Sequence, residues 1–275
     1  MSWAVYIMCA HDRTIACHRA MFCIYPWLGA QRTPLTIFTT LSYREPMQTD
    51  RERGPSDRSP SKYAEPFPIP SRLPVFPLPN VVFFPKTYLP LHIFEPRYRR
   101  MVADVTMGDQ CIAMALLKEG WEPDYYGNPA IYPALCIGRI VSVQPLPDGR
   151  SNILLQGLER CEISEEHFDK PYREATIRVT PMCSDEGLTK GVRRALVDVL
   201  GRYLQAREDS AAWQGFFREE VSDEVLVNTL STYLDCTPLE KQFLLEADGL
   251  HQRARRLNDL VQFMLHEHHG TKGWK

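Results

Sequence analysis

The sequence predicts an α+β fold in which strands come first and helices follow. Three observations carry this. From Leu73 onward, short apolar runs are bounded by proline and asparagine. Two β-rich runs flank Asp148-Gly149, a dipeptide that tolerates the positive φ of a tight hairpin. Beyond Ser184, apolar residues recur at helical spacing. A hydrophobic fraction of 44% over 275 residues supplies the core of one large domain or two modest ones. The net charge of −2 provides no global basic field to gather nucleic acid.

Residues 1–46 show no sustained period. Cys9, His11, Cys17, His18 and Cys23 are the right residue types for zinc, but their spacing fits no familiar cluster, and no metal or cofactor is expected. MSWAVYIMCAHD lacks the basic start of a secretory signal. Few acids together with Arg13, Arg19, Arg32 and Arg44 fit a transit peptide better, and an over-early start codon, with Met47 as the true start, is the plainer reading. From Met47 the chain is a charged Ser/Pro-rich tether with little to bury. None of the eight cysteines forms a Cys-x-x-Cys pair, which predicts reduced thiols and a cytoplasmic location.

The elements follow in order. VFPL, NVVFFP and YLPLHIF read as short strands whose ends are set by proline, which cannot donate to a ladder. Pro96 suits the first turn of a helix along which Phe94, Tyr98, Met101, Val102 and Val105 share a face, and Gly108 is its expected stop. CIAMALL (111–117) is a buried strand and KEGWEPDYYGNPAIYP a loop. The hairpin around Asp148-Gly149 follows, and then a strand alternating Ala175, Ile177 and Val179 with polar neighbours.

In the helical half, Leu188, Val192, Leu196, Val199 and Tyr203 follow one face. Ser222 caps a helix that starts with Asp223 and Glu224. Thr237-Pro238-Leu239-Glu240 is a capping box, with Gly249 expected to close its helix. Leu250, Ala254, Leu257, Val261 and Met264 line the last one.

LPVFPLPNVVFFPKTYLPLHIFEPRYRRMV, GDQCIAMALL and AIYPALCIGRIVSVQPLPDGRSNILLQGLERCEI occur in that order. Together they resemble the N-terminal substrate-binding domain of Lon proteases, and more narrowly the short bacterial proteins that carry this domain alone. The resemblance covers residues 72–182 strongly and the helical segment to about 268 in pattern. It implies a PUA-like small β-barrel with one packed helix, followed by a C-terminal α-helical bundle. The expected organisation is a non-conforming, disordered extension and linker (1–71), the β domain (72–183), a helical subdomain (184–268) and a tail (269–275). The resemblance also implies a module that holds unfolded or degron-bearing polypeptides, or docks on a protease or chaperone. The sequence contains no Gly-x-x-x-x-Gly-Lys-Ser/Thr phosphate loop, and no Ser–Lys protease domain is expected after Lys275. The expectation is a chain that binds and does not cut.

Two groups of residues are candidates for the binding surface. His92, Phe94, Glu95, Arg97 and Tyr98 would lie at a groove between barrel and helix. Alternatively, Phe94 and Tyr98 fill the core while Glu95 and Arg97 stabilise the helix start. Trp121, Tyr125, Tyr126 and Tyr132 lie on a Gly/Pro loop, where large aromatics supply contact area at low entropic cost; the alternative is a loop folded back over the barrel end. His92 with Glu95 can be drawn as a general-base pair, but nothing supplies a nucleophile or oxyanion site at a recognisable spacing. Lys86, Arg97, Arg99 and Arg100 raise RNA as an alternative partner, against which Arg100 can pair with Asp104 one turn on. HEHH at 266–269 lacks the His-Glu-x-x-His spacing of a zinc protease and reads as a tail.

Overall fold

The computed structural model describes residues 68–180, 187–206 and 221–271, with side chains of the last segment described to residue 267. The expectations for the extension, the Met47 start and its tether, and the side chains of His268 and His269, lie outside the described residues. The chain divides into two units, Met1–Ile69 and Pro70–Lys275, and every element below belongs to the second.

Strand β1 (Arg72–Leu78) is buried from Leu73 to Pro77 and on to Leu78. It tolerates two prolines because its neighbours change along its length. Arg72–Pro74 pair with one strand, and Val75–Leu78 pair with another. Each proline therefore has a strand on one side only, and the missing N–H costs no ladder bond.

NVVFFP, expected as a strand, is irregular chain that buries Val82, Phe83 and Phe84. It is held by tertiary contact instead. Lys86 N donates to the Gly157 carbonyl at 2.9 Å, and Gly157 N donates to Thr87 O at 2.8 Å. A Cβ at Gly157 would collide with the Phe84 carbonyl oxygen, so only glycine admits this close crossing.

After β2 (Tyr88–Ile93), Pro96 occupies the first turn of α1 (Pro96–Thr106), which buries Tyr98, Met101, Val102 and Val105. Phe94 is only half-buried. Helix α1 stops at its C-cap Met107, just before Gly108, but the left-handed residue beyond it is Gln110 (φ 57°). Strand β3 (Cys111–Leu116), buried throughout, runs parallel to β1 and antiparallel to β4 (Ala134–Pro145). Strand β5 (Ser151–His167) returns from a hairpin in which Gly149 alone takes a positive φ, and β6 (Glu174–Val179) completes the sheet.

The strand order is β2-β5-β4-β3-β1-β6, with an additional β5–β6 pairing. This corrects the expected PUA-like small β-barrel: the strands form a mixed, six-stranded sheet with a free edge, not a barrel without edges. It ends at β2, which has β5 on one side and no further strand among the described residues. The reason is the length of β5. Along the edge facing away from β4, its residues 151–156 pair with β2 and its residues 161–167 pair with β6.

The helical bundle follows as α2 (Lys190–Ala206), α3 (Asp223–Tyr233), α4 (Pro238–Leu245) and α5 (Leu250–Thr271). Leu196, Val199 and Tyr203 of α2 and Ala254, Leu257 and Val261 of α5 are buried as their spacing predicts. Ser222 accepts from Val225 N, and the capping box of Thr237 and Glu240 is complete. Asp223 additionally accepts from Leu188 N at 2.7 Å and pairs with Arg193, tying α2 to α3. Gly249 (φ 90°) precedes α5 rather than closing α4. Among the described residues, no helix is long and apolar enough to cross a membrane.

Sheet and bundle meet at Arg253, which is fully buried. Its Nε and Nη2 donate to the Leu244 and Leu245 carbonyls at 2.9 and 3.1 Å, at the negative end of α4. Nη1 donates to Asn228 Oδ1 at 2.5 Å, and the guanidinium lies 5.3 Å from the Phe84 ring centroid. Gln242 Nε2 reaches Ala134 O of β4 at 3.1 Å. Burial pulls the Arg253 pKa down to about 9, which still leaves the guanidinium charged at neutral pH.

Candidate functional site

A cleft of about 200 Å³ opens where the N-terminal end of α1, the 118–133 loop and the β5–β6 turn converge. Pro96 starts α1 where β2 ends, which brings Arg97 and Tyr98 to the cleft. The Tyr98 ring packs on Phe76 of β1, centroids 4.2 Å apart, and burial pushes its hydroxyl up to about 12. Arg97 is the hub. Its Nε donates to Glu95 Oε2 at 3.0 Å and its Nη2 to the Tyr125 carbonyl at 3.1 Å. The Arg97 guanidinium stands 4.6, 5.3 and 5.9 Å from the ring centroids of Tyr98, Tyr125 and Tyr126.

The loop is folded onto this hub. Tyr125 OH donates to Glu95 Oε1 at 2.7 Å, and burial together with that carboxylate raises the phenol pKa well above its usual value. Trp121 packs edge-on against Tyr125 at 5.4 Å, and Tyr125 does the same against Tyr126 at 5.1 Å. Tyr126 remains 83% exposed, the most open ring of the loop.

Of the sequence candidates, Glu95, Arg97, Tyr98, Trp121, Tyr125 and Tyr126 come together. The others do not. His92 lies by the hairpin, with Nδ1 2.7 Å from Asn152 Oδ1 and its ring stacked 6.2 Å from Phe94. Tyr132 packs beside β3 under Lys118, 5.7 Å from its ring centroid. The two halves of the drawn general-base pair are thus committed to different partners. Among the described residues, no cluster of His, Cys, Asp and Glu could hold a metal.

The opposite wall was missed in the sequence: Phe168, Lys170, Tyr172 and Arg173 of the β5–β6 turn. HFDKPYRE repeats the aromatic, basic and proline composition of the 118–133 loop, which is the signal that could have found it. Lys170 Nζ donates to Glu174 Oε1 at 2.9 Å, and Tyr172 OH to Asp104 Oδ2 at 2.9 Å. Arg173 is buried beneath half-exposed Phe168, its guanidinium 5.4 Å from that ring centroid. The Nη2 of Arg173 donates to Pro129 O at 2.7 Å, which ties the turn to the loop.

Residues 72–262 match the model of the substrate-binding domain of ATP-dependent protease La (Lon). The chain belongs to the Lon substrate-binding domain family. The matched region is the non-catalytic, substrate-binding part of Lon and not its protease core. Lon protease of Cytophaga hutchinsonii is 26% identical over 200 residues, covering 70% of this chain and 24% of that protein. The chain therefore spans about a quarter of the length of the curated Lon proteases it matches. Among solved structures, the N-terminal domain of Mycobacterium avium complex Lon protease aligns with a TM-score of 0.53 at 18% identity, covering 70% of this chain and 98% of that one. The Lon N-terminal domain protein from Xanthomonas campestris gives 0.50 at 23%, covering 70% and 97%. These two likenesses concern the fold.

Proposed function

We propose that this Lon-family domain binds polypeptide segments, unfolded or degron-bearing, in the cleft between the 118–133 loop and the β5–β6 turn. It works in cytoplasmic protein quality control, as a binding module or an adaptor to a protease or chaperone, without chemistry of its own. The observation that carries this reading is the assembly of Arg97, Tyr98, Tyr125 and Tyr126 opposite Phe168 and Tyr172 around one cleft. Aromatic rings beside a cation grip varied side chains through area and cation–π attraction, which suits a site that must accept many sequences. The RNA alternative loses ground because Arg97 is engaged by Glu95 and Arg100 by Asp104, each at 3.0 Å.

The test is fluorescence anisotropy with a labelled, permanently unfolded casein. Tyr126→Ala combined with Phe168→Ala, both exposed positions, should weaken binding about tenfold, or ~1.4 kcal/mol. Unchanged affinity in a folded double variant would sink the assignment of the cleft.

A further inference from the structure

The cleft carries an electrostatic asymmetry. Its lining includes Arg97, Lys170 and Arg173 but no carboxylate. The acids that hold these cations, Glu95, Glu174 and Glu166, do so from outside the lining. The arrangement at Arg173 is incomplete. Its side chain is 5% exposed, and Nη1 lies 3.1 Å from Glu166 Oε2 in an ion pair whose geometry makes no hydrogen bond, so that buried donor is unsatisfied. Such a donor costs free energy until an acceptor reaches it. Arg97 and Arg173 also repel one another across the cleft, adding to the downward pull of burial on the Arg173 pKa. Like charges converging on one small concavity from which acids are absent make a site for an anion.

We infer that the cleft recognises a carboxylate on its polypeptide ligand, held between Lys170 and Arg97 above the Arg173 guanidinium, with the aromatic walls taking the neighbouring side chain. This rests on the polypeptide-binding reading and names the group that reading leaves open. The carboxylate has two possible sources, a chain-terminal α-carboxylate or an Asp or Glu side chain, and the chemistry is shared. Phe168, standing over Arg173, is the side from which the carboxylate would approach.

Three fluorescein-labelled, tyrosine-containing decapeptides separate the sources: one with a free C-terminus and no acidic side chain, one amidated with none, and one amidated with two internal aspartates. Anisotropy titrations should show the amidated neutral peptide binding at least about fivefold more weakly than one of the other two. The tighter peptide identifies the source. Lys170→Gln should erase most of that preference. Glu166→Gln, at an accessible side chain, should increase it, because it releases Arg173 from the carboxylate paired with it. A merely structural Glu166 would not raise affinity for the charged peptide alone. Equal binding of all three peptides would overturn the inference while leaving polypeptide binding intact. Failure of all three to bind would also overturn it, and the casein measurement then decides the broader reading. Preference for an oligonucleotide over every peptide would overturn it in favour of phosphate.

Discussion

Two buried arginines, each close to an aromatic ring, have opposite fates in this molecule. Arg253 lies 5.3 Å from the Phe84 centroid, and Arg173 lies 5.4 Å from that of Phe168. Around Arg253 the protein has closed the shell: two carbonyls ending α4 and the Asn228 amide oxygen take its Nε, Nη1 and Nη2. Around Arg173 it has not, since Nη1 has only a poorly aligned carboxylate. Phe84 is fully buried, whereas Phe168 is half-exposed. The same residue type thus serves as a structural pin at the seam of sheet and bundle, and as the unfinished floor of a cleft. Burial of a charge does not distinguish the two roles; completion of its hydrogen bonds does.

The largest expected effect comes from breaking the closed site. Arg253→Ala removes the charged donor from the Leu244 and Leu245 carbonyls and from Asn228, and opens a cavity against Phe84. A loss of about 3 kcal/mol or more is expected in urea unfolding. Gly157→Ala attacks the same seam from the sheet side, because its Cβ displaces the Phe84 backbone. It should cost about 1–3 kcal/mol, and a stable variant would show that the crossing can relax. Arg173→Ala should destabilise less, by roughly 1 kcal/mol, because one of its bonds is already missing, yet it should weaken casein binding where Arg253→Ala acts only through folding. Comparable stability losses at the two arginines would erase the distinction drawn between them.

The smallest effect lies outside both sites, at the exposed hairpin tip. The side chain and backbone N–H of Arg150 hold the Asp148 carboxyl down at about 2. A depressed carboxylate contributes stability above its unfolded pKa and loses that contribution as pH falls through its folded one. The pH dependence of thermal melting should therefore include a shallow loss between about pH 4 and pH 2 that Asp148→Asn removes.

Much of the chain was legible because its signals are local. Thr237 and Glu240 cap a helix through bonds spanning three residues, Pro96 fixes its own φ at the start of α1, and Gly149 supplies the positive φ of a turn. None of these depends on what packs against them. NVVFFP failed as a strand because β propensity describes a half-buried surface, and here the burial comes from a crossing over Gly157, 73 residues further along the sequence than Phe84.

The candidate site was half legible for a related reason. Arg97, Tyr125 and Tyr126 stood out as cations and aromatics near proline and glycine. Phe168, Lys170 and Arg173 carry the same composition but reach the cleft only through the β5–β6 turn. The sequence by itself determined the caps, the hairpin, the helical faces and the motifs that mark the family. The tertiary structure alone decided that β5 carries both β2 and β6 along one edge, and which arginine has its shell closed. Local steric and capping preferences act over a turn of chain, whereas strand pairing and the burial of a charge depend on partners that only the folded chain brings together.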